Sequence, residues 1–214
     1  MVENIIEGVK PTRMELLAIR KKKKLAEKGH KLLGEKRDAL VMQFFEIIRT
    51  RDSLRSEVNN RLGEAFNNLI DAEMILGRDT VAEVTFSIPE IENIPTDVVN
   101  IMGVQVPRIQ IEILNVPKEP VYGYLNTSAK LDEASDRFQN VLMKILKLAE
   151  VEGSIERLAN EIEKTKRRVN ALEHIFIPRL KATQKYIEMQ LQEREREDFF
   201  RRKRIKTIME AQKD

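Results

Sequence analysis

Hydrophobic residues recur at every seventh position through the C-terminal half of the chain. A second hydrophobic set fills the intermediate steps, at Leu131, Phe138 and Leu158 for example, and charged residues fill most of the rest. This pattern, sustained over about six heptads, is typical of a coiled coil, and the helix needs a partner to bury its seam. The seam positions are Ala134, Val141, Leu148, Ile155, Ile162, Val169 and Phe176.

The N-terminal part of the chain supplies a second long helical pattern. Thr12 followed by Glu15 matches a capping box, and Gly77 follows the last hydrophobic residue of the pattern. Hydrophobic residues between these points follow mostly three- and four-residue steps. We therefore predict a leader over residues 1–11 and one long helix over residues 12–76.

The heptad pattern predicts a second long helix over residues 128–210, followed by a tail over residues 211–214. Pro178 lies inside this helix and should kink it or break it locally. If the two helices pair within one chain, they must be antiparallel. The predicted fold class is therefore mainly α: a long antiparallel two-helix coiled coil with a small β-hairpin-containing insert in the middle.

Residues 77–127 form this insert, which is rich in β-branched residues. Alternation over residues 81–88 predicts a strand, and two further runs, 96–102 and 104–113, predict a hairpin. Its hydrophobic residues exceed what an isolated hairpin can bury, so part should pack on the coiled coil. Support of the fold alone is one interpretation of these residues, and an additional contact with a partner is the other. Pro107 should lie on a strand edge or at a bulge. The hairpin is assigned to Met102, Gly103, Val104 and Pro107.

Composition agrees with long helices and a thin core. Charged residues make up 34% of the chain and aromatic residues only 5%, with no Cys and no Trp. The absence of Cys excludes disulfides and thiolate chemistry as well as prenyl or palmitoyl anchors. No apolar run approaches the length of a bilayer span. The net charge of +3 gives no global field for binding a polyanion.

Basic residues are nevertheless concentrated in two clusters. Antiparallel pairing should bring both clusters to one end of the coiled coil, where they would form a collar that surrounds the tip. A partner that encloses the tip is one interpretation, and an ordinary solvated helix end is the other, since exposed charges alone stabilise little. The collar residues are Arg20, Lys21, Lys22, Lys23, Lys24, Arg201, Arg202, Lys203, Arg204 and Lys206.

The sequence predicts no catalytic residue, cofactor site or metal site. Residues 29–36 nearly match a phosphate-binding loop, but Glu35 replaces the required Lys and no strand precedes the segment. His30 and His174 are the only histidines, and neither has the spacing of metal ligands.

Five segments resemble one known family, and they cover nearly the whole chain in the family's order. The chain resembles the D subunit of the archaeal and vacuolar (A/V-type) rotary ATPases. The segments are PTRMELLAIR at 11–20, KRDAL at 36–40, NIMGVQVP at 100–107, RRVNALEHIFIPRL at 167–180 and the charged tail at 193–206.

This resemblance implies a non-catalytic rotor shaft, present in one copy, that couples ion flow to ATP synthesis or hydrolysis. It implies as partners the catalytic A and B subunits of the hexameric head, the F subunit, and the C subunit (called d in vacuolar enzymes), which links to the membrane ring. It also implies a peripheral position on the cytoplasmic side of the membrane, without insertion into it.

Two alternatives rest on the residues alone. The first is a basic coiled-coil protein that binds nucleic acid, and the second is an adaptor that tethers membranes. Acidic residues nearly balance basic ones and aromatic residues are scarce, which argues against a nucleic-acid partner. The adaptor would need an exposed amphipathic anchor or a lipidation site.

Overall fold

The predicted fold class is confirmed: two long helical regions flank a small antiparallel hairpin. The structure is a computed structural model, and it describes residues 6, 8–86, 88, 93–110, 122–123 and 127–211. The elements, in chain order, are α1 (Arg13–Leu76), α2 (Arg78–Phe86), β1 (Thr96–Ile101), β2 (Val104–Ile109), α3 (Ala129–Ala171), a π-helical segment (Leu172–Phe176) and α4 (Ile177–Ala211).

The chain divides into two compact units. Met1–Asp38 and Glu163–Asp214 form the first, which we call the terminal unit. Ala39–Ile162 forms the second, which we call the central unit. The long helices α1 and α3 contribute residues to both.

In the central unit, α1 and α3 pair in antiparallel orientation. Lys144 contacts Glu57, and Arg137 Nη1 lies 3.1 Å from Glu64 Oε2, so residue numbers rise along one helix as they fall along the other. The predicted seam residues that belong to this unit differ in burial, and Ala134 is buried. Val141 is buried as well, whereas Leu148, Ile155 and Ile162 are half-buried.

The hairpin packs on this helix pair and completes its core. Val104 and Val106 of β2 form a buried cluster with Leu40 of α1 and Leu158 of α3, and Ile101 packs against the same cluster. Val104 lies opposite Ile101 in the strand register, so these two side chains share one face of the sheet. That face is the one turned toward the helices.

The hairpin turn is a tight two-residue turn between β1 and β2, with Gly103 at its second position. Met102 and Gly103 both have positive φ, 53° and 86°, as a two-residue type I′ turn requires. The amide of Gly103 donates a hydrogen bond to Asn100 Oδ1 at 2.7 Å. Pro107 lies opposite Val98 in a sheet of two strands, where each strand has a free edge that tolerates the missing N–H.

A glycine on α3 makes room for the hairpin. A Cβ placed on Gly153 would lie 2.9 Å from Pro107 Cγ, closer than real Cβ atoms approach a neighbour. One turn before it, Glu150 Oε2 accepts a hydrogen bond from the amide of Ile109 at 3.2 Å. Gly153 is therefore a notch that seats the proline ring.

This notch predicts that the effect of Gly153→Ala on stability changes sign when Pro107 is also replaced by Ala. Gly153→Ala alone should destabilise the central unit by about 1 kcal/mol, because a clash costing about 1–3 kcal/mol outweighs a gain in helix propensity of about 1 kcal/mol. In a Pro107→Ala background the clash is gone, so Gly153→Ala should stabilise by about 0.5–1 kcal/mol. Urea unfolding of the four variants measures the coupling. If Gly153→Ala changes the free energy of unfolding equally in both backgrounds, the close contact between residue 153 and the Pro107 ring is contradicted.

The strand predicted over residues 81–88 is wrong, because residues 78–86 form helix α2. Val81 is buried against Ala72, Tyr122 and Leu131, and Val84 packs on the same cluster. Their spacing of three places both on one helical face, whereas Phe86, which alternation would have placed beside Val84, is 89% exposed. Contacts with α1 and α3 thus override the β-propensity of the segment.

The seam prediction also fails at Phe176, which is 51% exposed. Phe176 ends the π-helical segment, where the amide of Ile177 donates to the carbonyl of Leu172, five residues back. Each π turn contains an additional residue, so a heptad register cannot continue through it. Pro178, the second residue of α4, has no N–H and would clash with a carbonyl four residues back, and the widened turn accommodates it.

In the terminal unit, α1 and α4 pack in antiparallel orientation around a separate core. Its buried residues are Ile19, Leu180 and Ile187, and Ile6 and Val9 of the predicted leader pack against them. These two residues of the leader therefore contribute to the core.

Candidate partner-binding surfaces

The first basic cluster lies on the N-terminal turns of α1, in the terminal unit. Thr12 caps this helix, since its Oγ1 accepts a hydrogen bond from the amide of Glu15 at 3.2 Å. Arg20 Nη2 lies 2.8 Å from Glu188 Oε1, and Lys23 Nζ donates to Gln184 Oε1 at 3.4 Å. The cluster is therefore joined to α4, while Lys21, Lys22 and Lys24 have exposed side chains.

The second basic cluster lies near the C-terminal end of α4, and all five of its residues are exposed. Arg201 lies within 4.0 Å of Asp198 and 3.9 Å of Glu197 on its own helix. The ammonium of Lys203 lies 5.0 Å from the ring centroid of Phe199, within cation–π range. The phenylalanine pair 199 and 200 gives this basic surface an apolar component.

The predicted single collar is wrong, because the two clusters are not level along the helices. Arg13, the first residue of α1, pairs with Glu195 of α4 at 2.7 Å, and Arg20 pairs with Glu188. Arg201 lies beyond both, about 13 residues and ~20 Å past Glu188 along α4. The clusters share one end of the terminal unit but form two successive basic belts: residues 20–24 are the inner belt, and residues 201–206 are the outer belt.

The central unit carries a different kind of surface, a stripe of exposed apolar residues on α1. Phe66, Ile70 and Met74 follow one another at four-residue steps, and Met74 is 79% exposed. The ring of Phe66 makes an edge-on contact with Phe138 of α3, with centroids 5.5 Å apart. Exposed apolar side chains in contiguous groups are typical of protein–protein interfaces. The four-residue spacing is visible in the sequence, but spacing alone does not distinguish an exposed stripe from a buried one.

The hairpin also exposes hydrophobic residues on its outer side. Val98 is exposed, as is Met102 at the turn, whereas Val104 and Val106 are buried against the helices. Ile111 and the rest of the predicted second strand beyond residue 110 lie outside the described residues.

The segments that the sequence raised as possible nucleotide or metal sites lie on helical elements. Residues 29–36 lie entirely within α1, so they form no phosphate-binding loop. His30 Nε2 lies 3.5 Å from Glu173 Oε2, and His174 is exposed. Across the described ranges, no group of three or more His, Cys, Asp and Glu residues is arranged to hold a metal ion. No helix in that part of the chain is long and apolar enough to cross a membrane.

An ion-pair network ties α1 to α3 in the central unit. Glu57 contacts both Lys144 of α3 and Arg61 of its own helix, the latter at 2.9 Å. The hydrogen bond from Lys144 is the main cause that lowers the pKa of Glu57, burial partly opposes it, and attraction by Arg61 adds to it. This network was not singled out from the sequence, where each residue appears as ordinary helix surface.

The lowered pKa predicts how Glu57 affects stability in acid. A carboxylate whose pKa is depressed on folding stabilises the fold above its unfolded pKa, and that contribution is lost as pH falls through the folded pKa. Glu57→Gln should therefore destabilise the protein near pH 7 and flatten the loss of stability below about pH 4.3. Urea midpoints from neutral to acid pH test this, with Glu156→Gln, an exposed position on α3, as the matched control. If the urea midpoints of wild type and Glu57→Gln fall in parallel as the pH is lowered, the stabilising role of the Glu57 carboxylate is contradicted.

Comparison with known proteins places the chain in a family. The family model for the ATP synthase D subunit matches residues 15–207, which include both basic belts and the hairpin. The chain therefore belongs to the ATP synthase D subunit family, as the five sequence segments indicated.

The curated relatives extend over almost the whole chain. The D subunit of the A-type ATP synthase from Pyrococcus furiosus is 50% identical over 204 residues, 95% of each chain. The protein of the same name from Thermococcus sibiricus is also 50% identical over 204 residues. That from Methanopyrus kandleri is 46% identical over 213 residues, 100% of this chain and 92% of its own. The sequence-based prediction of a central-stalk component of this synthase is confirmed.

Proposed function

We propose that this chain is the non-catalytic rotor shaft of an A-type ATP synthase. In this role it turns inside the head formed by the catalytic A and B subunits and carries energy between that head and an ion-translocating membrane ring. Family membership along nearly the full chain carries the proposal. Long antiparallel helices with buried seams, which resist bending and twisting better than a single helix, support it.

The terminal unit is proposed to contact the head. Its two basic belts present cations around the helices, and non-directional charge contacts hold a turning element laterally without locking one orientation. Acidic surfaces on the A and B subunits are the complementary partners. One copy of the shaft has no threefold symmetry, whereas the head contains three A/B pairs. The shaft therefore contacts each A/B pair with a different part of its surface.

The central unit is proposed to contact the F and C subunits, the latter linking the shaft to the membrane ring. Its apolar stripe at Phe66, Ile70 and Met74 and the outer side of the hairpin are the supporting observations. Through these partners the protein would lie at the cytoplasmic face of the membrane without entering it.

Reconstitution tests this proposal. Purified A and B subunits are mixed with this protein, with and without the F subunit, then separated by gel filtration and assayed for ATP hydrolysis. We expect one copy of the chain to elute with the A/B hexamer and to change its ATPase activity. Elution of the chain by itself, with unchanged ATPase activity of the A/B fraction, would contradict a shaft.

A further inference from the structure

The segment that precedes α1 follows α4 instead of extending away from it. The amide of Ile6 donates a hydrogen bond to Thr183 Oγ1 at 3.1 Å, and Arg194 Nη1 donates to the carbonyl of Pro11 at 3.2 Å. The chain then reverses at Thr12, which caps α1. Residues 6 and 8–12, which we call the strap, thus run alongside α4 before α1 returns along it.

Both ends of the strap are attached to α4, and the strap is short. Thr183 and Arg194 are separated by about 16 Å along α4, at the helical rise of ~1.5 Å per residue. The five residue steps from Ile6 to Pro11 span at most about 17 Å when extended. A connection this short leaves α1, which begins at Arg13, few positions along α4 in which it can start.

Thr183, which accepts the hydrogen bond from the strap, lies in the core of the terminal unit. It is 0% exposed, and it is a polar residue in a core otherwise built of Leu and Ile. Its hydroxyl donates to the carbonyl of Arg179 at 2.8 Å, one turn back, and accepts from the amide of Ile6. The buried Ser154 of α3 likewise donates to the carbonyl of Glu150 at 2.9 Å, which shows that the first bond alone needs no strap. The need to accept a hydrogen bond from the Ile6 amide explains why a threonine hydroxyl lies in this apolar core.

Ile6 and Val9 add apolar contacts to the same place. Both pack against the buried cluster of Ile19, Leu180 and Ile187, which lies between α1 and α4. A pair of helices leaves one side of its seam open to water, and here the strap covers that side. Removing the two side chains would expose the cluster.

We propose that residues 6 and 8–12 are a fastening device that fixes the register of α1 against α4 and prevents the N-terminal turns of α1 from separating. For a shaft, this would keep the helix pair from sliding when torque is applied, and that consequence alone rests on the proposed function.

Hydrogen exchange of the full chain, read by mass spectrometry, tests the fastening directly and needs no partner protein. The test variant is Ile6→Asp with Val9→Asp, and the control is Lys10→Asp, an exposed position in the same segment. We expect exchange at residues 16–26 and 180–191 to become about tenfold faster or more in the test variant and to stay unchanged in the control. Unchanged exchange at residues 139–158 of the central unit verifies that the variant is folded.

Thr183→Val separates the hydrogen bond from the apolar contacts while keeping the side-chain volume. We expect exchange of the Ile6 amide to accelerate several-fold, with a smaller acceleration at residues 16–26. If both the double aspartate variant and Thr183→Val exchange at wild-type rates in these segments, the proposed fastening role of the strap is overturned. Failure of the reconstitution with A and B subunits would leave this readout unaffected, so the two proposals fail separately.

Discussion

Leu158→Ala should lower the free energy of unfolding by about 2–5 kcal/mol, the largest effect we expect from a single substitution. Leu158 is 0% exposed and lies in the cluster where α1, α3 and β2 meet, beside Leu40, Val104 and Val106. Truncation leaves a cavity that three elements border, and the notch at Gly153 limits how far the hairpin can shift to fill it. Urea unfolding followed by circular dichroism measures the loss.

Leu32→Ala is the matched control for this prediction. Leu32 lies on α1 and is 65% exposed, so the same truncation should change stability by less than about 0.5 kcal/mol. If both substitutions cost the same, the hairpin does not complete a core on the helix pair, and our description of the central unit is wrong.

Neutralising the inner belt should have the largest functional effect. In an assembled A-type synthase, Lys21→Gln, Lys22→Gln and Lys24→Gln together should lower ATP-driven ion pumping several-fold more than ATP hydrolysis. These three side chains are exposed, and they lie outside the pairs that Arg20 and Lys23 make with α4, so the helix pair should remain folded. The ratio of pumping to hydrolysis in proteoliposomes is the measurement, and its deficit should resemble that of wild type at high salt.

The control for this effect removes the same number of exposed cations from the central unit, by Arg49→Gln, Arg55→Gln and Lys147→Gln. We expect its ratio of pumping to hydrolysis to match wild type. The same experiment on the outer belt, at Arg201, Arg202 and Arg204, determines whether the two belts act separately. A wild-type ratio in the inner-belt variant would contradict a head-contacting role for these lysines.

The sequence predicted most of the fold because its signals were local and repeated. Heptad spacing marks a paired helix wherever it occurs, and the capping box at Thr12 is confirmed by the hydrogen bond to Glu15. A glycine between two β-branched runs indicates the hairpin turn, and Gly103 has the positive φ that this turn requires. The family resemblance likewise rested on continuous segments of sequence.

The failure at residues 81–88 has a different cause, because it depends on residues distant in the chain. Val81 and Val84 are helical because Tyr122 and Leu131 pack against them, and local alternation contains no information about that contact. Phe176 leaves the seam because Pro178 requires a widened turn before it. A heptad count has no provision for an added residue.

The basic surface shows the same limit. Residue types and helix assignments predict which clusters antiparallel pairing brings to one end, but the axial offset of the clusters depends on which residues of α1 and α4 are paired. That register is seen in contacts such as that of Arg13 with Glu195. The strap contributes to it through Ile6 and Thr183, and no periodic signal in the sequence marks that contact.

The central claim is that the chain is a rotor shaft, and it is tested most directly by observing whether the chain rotates inside the head. The chain contains no Cys, so Gln105→Cys, at an exposed position of the hairpin, provides a unique attachment point for a bead. With A and B subunits immobilised on glass, our account predicts that the bead turns in one direction when ATP is added and stops when ATP is removed. A bead that stays fixed relative to the A and B subunits while ATP is hydrolysed at the normal rate would contradict the account.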